Sequence, residues 1–283
     1  MSSPPKIFDT ALYGARRARA SGGVLAREAT EGLAERLSAV NRKFVHGLDV
    51  GSRDESFTML QPLAAQWERT DFWRATGETL MVEPASFDLA TSILSLHAVN
   101  DLPGALIQIR RALKPDGLFM AALFGGDTLR ELREAFAAGE SDIAGGASPR
   151  VAPFADVRDL GGLLQRAGFA LPVTDVERTT IRYREFSTLI GDLRALGETN
   201  ALVQRSRHIL RRDVLDAALA HYARRHAEPD GRIRATFDII YLTGWAPHAS
   251  QQKPLAPGSA KARLADALDT TEHKAGDKAP KPI

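Results

Sequence analysis

The sequence predicts an α/β protein whose sheet is mainly parallel and carries helices on both faces. The apolar run Leu89, Ala90, Ile93 and Leu94 lacks two-residue alternation, as expected of a strand buried on both faces. Leu102, Ala105, Leu106, Ile109 and Leu113 then fall on one helical face, and Lys114-Pro115-Asp116-Gly117 stops that helix before the second apolar run, LFMAALF. Strand, helix, turn and strand in this order make a parallel pair with its crossover.

Along the chain, Val24, Leu25, Ala29, Leu33, Leu37 and Val40 lie near helical spacing and predict a helix that closes the N-terminal side of the core. Phe44 to Val50 reads as the first strand, Gly51 as the start of a turn, and the residues through Met59 and Leu60 as a short helix. A second strand is expected from Gln66 to Asp71. Only fifteen residues separate Asp71 from Phe87, too few for a full crossover helix plus another strand, so the third strand is expected to be abbreviated.

Asn100 or Asp101 caps the helix after the central strand. Thr128 to Ala138 reads as a helix capped by Asp127, and Gly139 to Pro153 as a Gly/Ser/Pro-rich loop of the kind that covers a substrate. A helix from Asp156 to Arg166 stops at Gly168, and strands follow at Val173 to Tyr183 and Ile233 to Trp245. Between them, Phe186, Leu189, Ile190 and Leu193, and then Val214, Leu215, Ala218, Leu219 and Tyr222, predict two helices inserted before the last strand. The expected division is an N-terminal helical cap over 1–41, a domain over 42–248 with its insert at 185–230, and a disordered tail over 249–283, where apolar periodicity fades.

The 283 residues, 44% hydrophobic and 25% charged, suffice for one sizeable core. With no cysteine, disulfides, thiolate nucleophiles and Cys-ligated metals are excluded. The 37 basic and 35 acidic residues nearly balance, which argues against nucleic acid as a partner. No apolar run reaches the roughly 18 residues of a membrane span, and Asp9, Glu28, Glu31 and Glu35 interrupt the acid-poor character that the early arginines would need for a mitochondrial leader. A cytoplasmic location is the default expectation.

The order and spacing of strand, acidic helix start and LKPDG resemble the back half of class I S-adenosylmethionine (SAM) methyltransferases. SLHAVNDLPGAL, LKPDGLFMAALFGGDTLREL, GGASPRVAPFADVRDLGGLLQRAGF and GWAPHASQQKP resemble one branch more closely, the methyltransferase-like assembly factors of respiratory complex I, strongly over roughly 85–255. The resemblance implies a Rossmann-like class I sheet, SAM as cofactor, and a protein substrate among the complex I subunits, one arginine of which the eukaryotic representative is associated with hydroxylating. It also implies a location at the inner face of the membrane through that partner, in a bacterial cytoplasm or a mitochondrial matrix. Family members carry a glycine-bearing loop after the first strand and a complete third strand, and this chain departs from both.

In that family a turn lets the backbone approach SAM and carboxylates hold its hydroxyl and amine groups. The matching positions here are Asp49, Gly51 and Ser52 after the first strand, Asp71 at the end of the second, and Ser95 and Leu96 past the central strand. Asp71 follows Asp49 by about 20 residues, the spacing of a ribose-binding acid after a glycine loop. Both acids could equally cap strand ends. Only Gly51 remains of the glycines, and Arg53 stands where a cofactor's approach favours a small residue.

No catalytic residue is singled out. His97 and Asp101, just past the central strand where open parallel sheets bind ligands, are the candidates. His97 could act as a base or ligand, or hold position through a structural hydrogen bond. No local histidine pattern completes a metal site, which leaves only distant residues such as His208, His221 and His248. Gly125-Gly126-Asp127-Thr128 could present N–H groups to a ligand or form a tight turn, and Arg205, Arg207, Arg211 and Arg212 could face an acidic partner or solvent. Two functions remain open: a SAM-dependent enzyme modifying a complex I subunit, or a non-catalytic assembly protein with a degenerate cofactor site.

Overall fold

The computed structural model describes residues 6–73, 78–252, 264–267 and 269–270. Its centre is a six-stranded sheet in the order β2-β1-β3-β4-β6-β5, built from β1 (Phe44–Val50), β2 (Ala64–Thr70), β3 (Phe87–Ile93), β4 (Leu113–Gly125), β5 (Ala170–Tyr183) and β6 (Ile233–Trp245). The first four strands are mutually parallel, and β6 runs antiparallel between β4 and β5.

β4 shows why the central strands lack a two-residue signature. Leu118, Met120, Ala122 and Phe124 enter one apolar cluster, and Phe119, Ala121 and Leu123 enter a second on the opposite face. The first cluster takes side chains from α2 (Val24–Ser38), α5 (Arg130–Ala144), α7 (Phe186–Ala195) and α8 (Arg212–His226). The second takes them from α4 (Leu102–Ala112) and α6 (Val157–Arg166). With helices above and below, every position from Leu118 to Phe124 is core. A short helix α1 (Thr10–Arg17) lies outside this pattern and packs through Phe8 and Tyr13 with Ala98, Ala201 and Leu202.

The two α/β faces and the insert agree with the sequence reading, as do the bounds of β1 and β6, while three local expectations are corrected and one pair of alternatives is decided. The second strand begins at Ala64 and ends at Thr70, so Asp71 lies just past it. Leu113 is not on the α4 face: it is the extended C-cap of that helix and the first residue of β4, where it pairs with Phe87 before the Lys114–Gly117 turn shifts the register. Asp101, not Asn100, caps α4 by accepting from the Gly104 N–H at 2.9 Å, because the Asn100 amide is used on Phe8 and Glu78. Asp127 does not cap α5, which starts after Leu129 and runs into the first part of the expected Gly139–Pro153 loop, as far as Ala144.

Among the described residues between β2 and β3 there is no helix or strand, and β2 is the sheet edge. Residues 249–283 form a separate unit whose described residues include a short helix, Leu264–Ala267, and the rest of the expected disordered tail lies mostly outside the described residues.

The extension of α5 depends on Gly139. A Cβ there would stand 2.6 Å from the backbone nitrogen of Ala218 in α8, so the two helices touch backbone to backbone. Replacing glycine by alanine inside a helix ordinarily stabilises by about 1 kcal/mol. Here Gly139→Ala is expected to destabilise the fold by about 1–3 kcal/mol through overpacking, read as a lower urea midpoint. A higher midpoint would mean that α5 and α8 do not meet there.

Candidate functional site

α1 begins at Asp9, whose carboxylate accepts from the Leu12 N–H at 3.1 Å. The segment before it is clamped by Asn100, whose Oδ1 accepts from the N–H groups of Ile7 and Phe8, and by a backbone bond from Asp9 to the Ala201 carbonyl. The clamp lays one helix face on the carboxyl edge of the sheet. Tyr13 and Arg17, one turn apart, are the buried residues of that face.

Both reach Glu198, in the loop after α7. Tyr13 donates to Glu198 Oε1 at 2.9 Å, Arg53 at 3.0 Å and Arg17 at 3.3 Å, while His97 Nε2 lies 3.0 Å from Oε2. Arg53 also donates to the Leu196 carbonyl, and Arg17 to the carbonyls of Gly51 and Leu94. Burial would raise the Glu198 carboxyl, but the charges of His97, Arg53 and Arg17 and the His97 hydrogen bond outweigh it and hold it at about 2. Burial, with the neighbouring Arg17, lowers Arg53 to about 10.

This cluster forms a wall between two cavities. The first, about 670 Å³, opens at the carboxyl ends of β1 and β2 and is lined by Asp49, Gly51, Ser52 and Asp71 together with Arg17, Arg53, Arg69 and Trp73. Gly51 has φ +77°, and a Cβ there would meet Ser95 Oγ at 2.9 Å and the Trp73 ring at 3.0 Å, so both conformation and packing require glycine at that point. Asp49 is buried, with Arg69 Nε 3.4 Å from Oδ2 and no partner for Oδ1 among the described residues. Its burial raises the carboxyl to about 6 against the opposing pull of Ser52 and Arg69. Asp71 Oδ1 accepts from the Trp73 N–H at 3.1 Å.

The second cavity, about 370 Å³, is lined mainly by apolar side chains, with Arg16, Arg150 and Arg194 also on its lining. Phe124, Phe136, Phe154 and Phe237 line it with Leu132, Ile190 and Leu193, and His97, Glu198 and Tyr13 close one end. The His97 ring packs 5.2 Å from Phe124, and its Nδ1 has no hydrogen-bond partner among the described residues.

Of the positions singled out in the sequence, Asp49, Gly51, Ser52 and Asp71 therefore meet in the first cavity and His97 lies in the second. Ser95 and Leu96 lie beneath the surface: the Ser95 hydroxyl is spent on the Val50 carbonyl, and Leu96 packs into the core below. Asp101 lines neither cavity and serves as a helix cap. The Gly125–Thr128 segment is a tight turn whose N–H groups go to Ala155, Asp238 and Gly125. In the insert, Arg205 pairs with Asp9 and Arg211 with Asp213. Among the described residues no three His, Asp or Glu side chains gather as metal ligands. Tyr13, Arg17 and Glu198 were not legible: Arg17 sits in an arginine-rich stretch that reads as surface, and nothing local distinguishes Glu198 from other loop acids.

A family model described as a methyltransferase domain matches residues 30–121. "Arginine-hydroxylase NDUFAF5, mitochondrial" of Dictyostelium discoideum is 46% identical over 191 residues, which is 67% of this chain and 44% of that protein. The human protein of the same name is 45% identical over 186 residues, 66% of this chain and 54% of its own length. A malonyl-acyl-carrier-protein O-methyltransferase of Laribacter hongkongensis is 39% identical over 181 residues, covering 64% and 58%. The chain thus spans about half the length of the curated relatives it matches. Among solved structures, the YcgJ protein from Bacillus subtilis shares the fold with a TM-score of 0.53 at 14% identity, over 77% of this chain and 99% of that one.

Glu198→Gln would leave two buried guanidinium groups without their carboxylate and is expected to destabilise by about 3–5 kcal/mol at pH 7 in urea unfolding. A carboxyl lowered on folding stabilises fully above its unfolded value of 4.5 and loses that contribution as pH falls toward 2. The Gln variant should therefore lose the part of the acid-side decline in stability that lies below pH 4.5. The raised Asp49 acts in the opposite sense, its ionisation weakening the fold as pH rises from 3.8 to about 6. An unchanged acid limb in the Gln variant would exclude Glu198 as the charge centre.

Proposed function

We propose that this chain, which carries a domain of the class I SAM-dependent methyltransferase family, holds an adenosine-type cofactor in the first cavity and receives an arginine side chain of a respiratory complex I subunit in the second. One observation carries the reading. The two cavities share a single wall at the carboxyl edge of the sheet, the edge where open parallel sheets bind ligands, and the centre of that wall is a carboxylate already bound to guanidinium groups.

The residues present fit the nucleoside and amine parts of the cofactor. Asp71 on the lining offers acceptors for ribose hydroxyls, and the unpartnered Oδ1 of Asp49 offers one for the amine at the methionine end. SAM, when bound, supplies an electrophilic methyl group. The chain's own residues orient and deprotonate: Glu198 only accepts, so His97 donates from Nε2 to it, stabilising the carboxylate when the ring is a cation and, when the ring is neutral, keeping a lone pair on Nδ1 for a proton from a group entering the aromatic cavity. Phe124 and Phe154 beside the ring exclude water from that proton. Arginine recognition draws on the same chemistry by which Glu198 holds Arg17 and Arg53.

Action on a complex I subunit places the protein at the inner face of the membrane through its partner, in a bacterial cytoplasm or a mitochondrial matrix. Among the described residues no helix is long and apolar enough to cross a membrane, and the matched relatives are named as mitochondrial. A second reading has its own support. Arg17 lies across the passage between the cavities, bonded to carbonyls beside the cofactor, as suits an assembly protein that captures its partner without turnover.

Mass spectrometry of complex I subunits purified with and without the chain distinguishes them. The expected result is an arginine that gains one oxygen or one methyl group only when the chain is present, and loses the gain in His97→Ala. Co-purification with every arginine unchanged would favour the non-catalytic reading, and neither modification nor co-purification would overturn both.

A further inference from the structure

The second cavity divides by charge. Phe124, Leu132, Leu193 and Phe237 on its lining are buried, whereas Arg194 is exposed and Arg16 and Arg150 are half-buried, so the three guanidinium groups stand toward its opening. They come from separate elements: Arg16 from the last turn of α1, Arg150 from the loop after α5, and Arg194 from the last turn of α7. The acids near them are already engaged. Glu140 holds Arg150 Nε at 2.8 Å. Glu198, the one acid among the described lining residues, faces Arg17, Arg53 and His97. Arg16 donates to the Thr199 carbonyl at 2.8 Å and has no ion pair among the described residues, while Asp9, which acts on it through charge, is paired with Arg205 at 3.2 Å. Burial and the charges of Arg205 and Arg19 lower Arg16 against the opposing pull of Asp9. The Arg194 guanidinium has no hydrogen bond or ion pair among the described residues. The opening therefore carries two guanidinium groups that lack a carboxylate.

We propose that the segment whose arginine enters the second cavity carries an aspartate or glutamate within about three residues of that arginine, roughly 10 Å of extended chain, and that Arg16 and Arg194 select for this acid. The inference rests on reading the cavity as an arginine site and goes beyond it by naming the sequence class of the substrate. An arginine arriving alone brings a further guanidinium past two that have no carboxylate, and like charges brought together at an interface are disfavoured. A carboxylate arriving with it reverses the sign of that encounter. The planar guanidinium takes a carboxylate through two parallel N–H donors, which fixes direction as well as charge. The acid is met at the opening, so the bonds of Glu198 at the inner end are left as they are.

Calorimetric titration of the full chain with three synthetic peptides tests this: an arginine flanked by aspartates, the same peptide with asparagine for each aspartate, and the aspartate peptide with alanine for the arginine. The aspartate peptide is expected to bind about fivefold or more tightly than its asparagine form, a preference that shrinks as salt is raised. In Arg194→Gln, at an exposed position, the aspartate peptide should weaken about threefold or more while the asparagine peptide stays within about twofold. Equal binding of the aspartate and asparagine peptides, with the alanine peptide weaker than both, would overturn the inference and leave the arginine site intact. An unchanged aspartate-to-asparagine ratio in Arg194→Gln would overturn the role of Arg194. An alanine peptide that binds as tightly as the arginine peptide would overturn the arginine reading and the inference with it, as would no binding by any of the three.

Discussion

Glu198 must stay ionised while buried, and much of the molecule is arranged to let it. It and its partners come from four stretches that share no local structure: Tyr13 and Arg17 from α1, Arg53 from the turn after β1, His97 from the turn after β3, and Glu198 itself from the loop after α7. A buried ion pair is weak grounds for stability in itself, but removing one member of it is severe. Each stretch is therefore held where the others need it. α1, whose only buried residues are Tyr13 and Arg17, gains its position from this cluster and from the Asn100 clamp.

The same constraint changes the meaning of the altered turn after β1. From the sequence alone, Arg53 in place of a small residue reads as decay of a cofactor loop. In the fold its guanidinium is buried and bonded to Glu198 and the Leu196 carbonyl. The residue has exchanged a backbone approach for a charge the cluster uses. Gly51 keeps the one conformation the turn requires, with Ser95 and Trp73 packed where a side chain would stand.

What the sequence disclosed follows from range of interaction. The sheet and its flanking helices were legible because burial on both faces leaves apolar residues without two-residue alternation at Leu89–Leu94 and an unbroken apolar run at Leu118–Phe124, and helical spacing marks α2, α7 and α8 locally. Asp49, Gly51 and Asp71 were legible because strand ends place them and the resemblance marks them. The end of α5 was misread because Gly139 looks like a breaker until α8 is packed against it. Arg17 and Glu198 were not legible, since their roles come from a contact between positions far apart in the chain, which no local pattern of charge encodes. His97 could be nominated but not paired, for the same reason.

Charge conservation limits how the wall between the cavities can open. Glu198 is held low by cations, so Arg17 cannot simply leave: the carboxylate would lose a guanidinium, and the carbonyls of Gly51 and Leu94 would lose their donors. A cation entering from the second cavity can replace it on Glu198, and a donor entering from the first can replace it on the carbonyls. A guanidinium from a partner and an ammonium from a cofactor would together replace Arg17 on Glu198 and on both carbonyls, and neither alone does so.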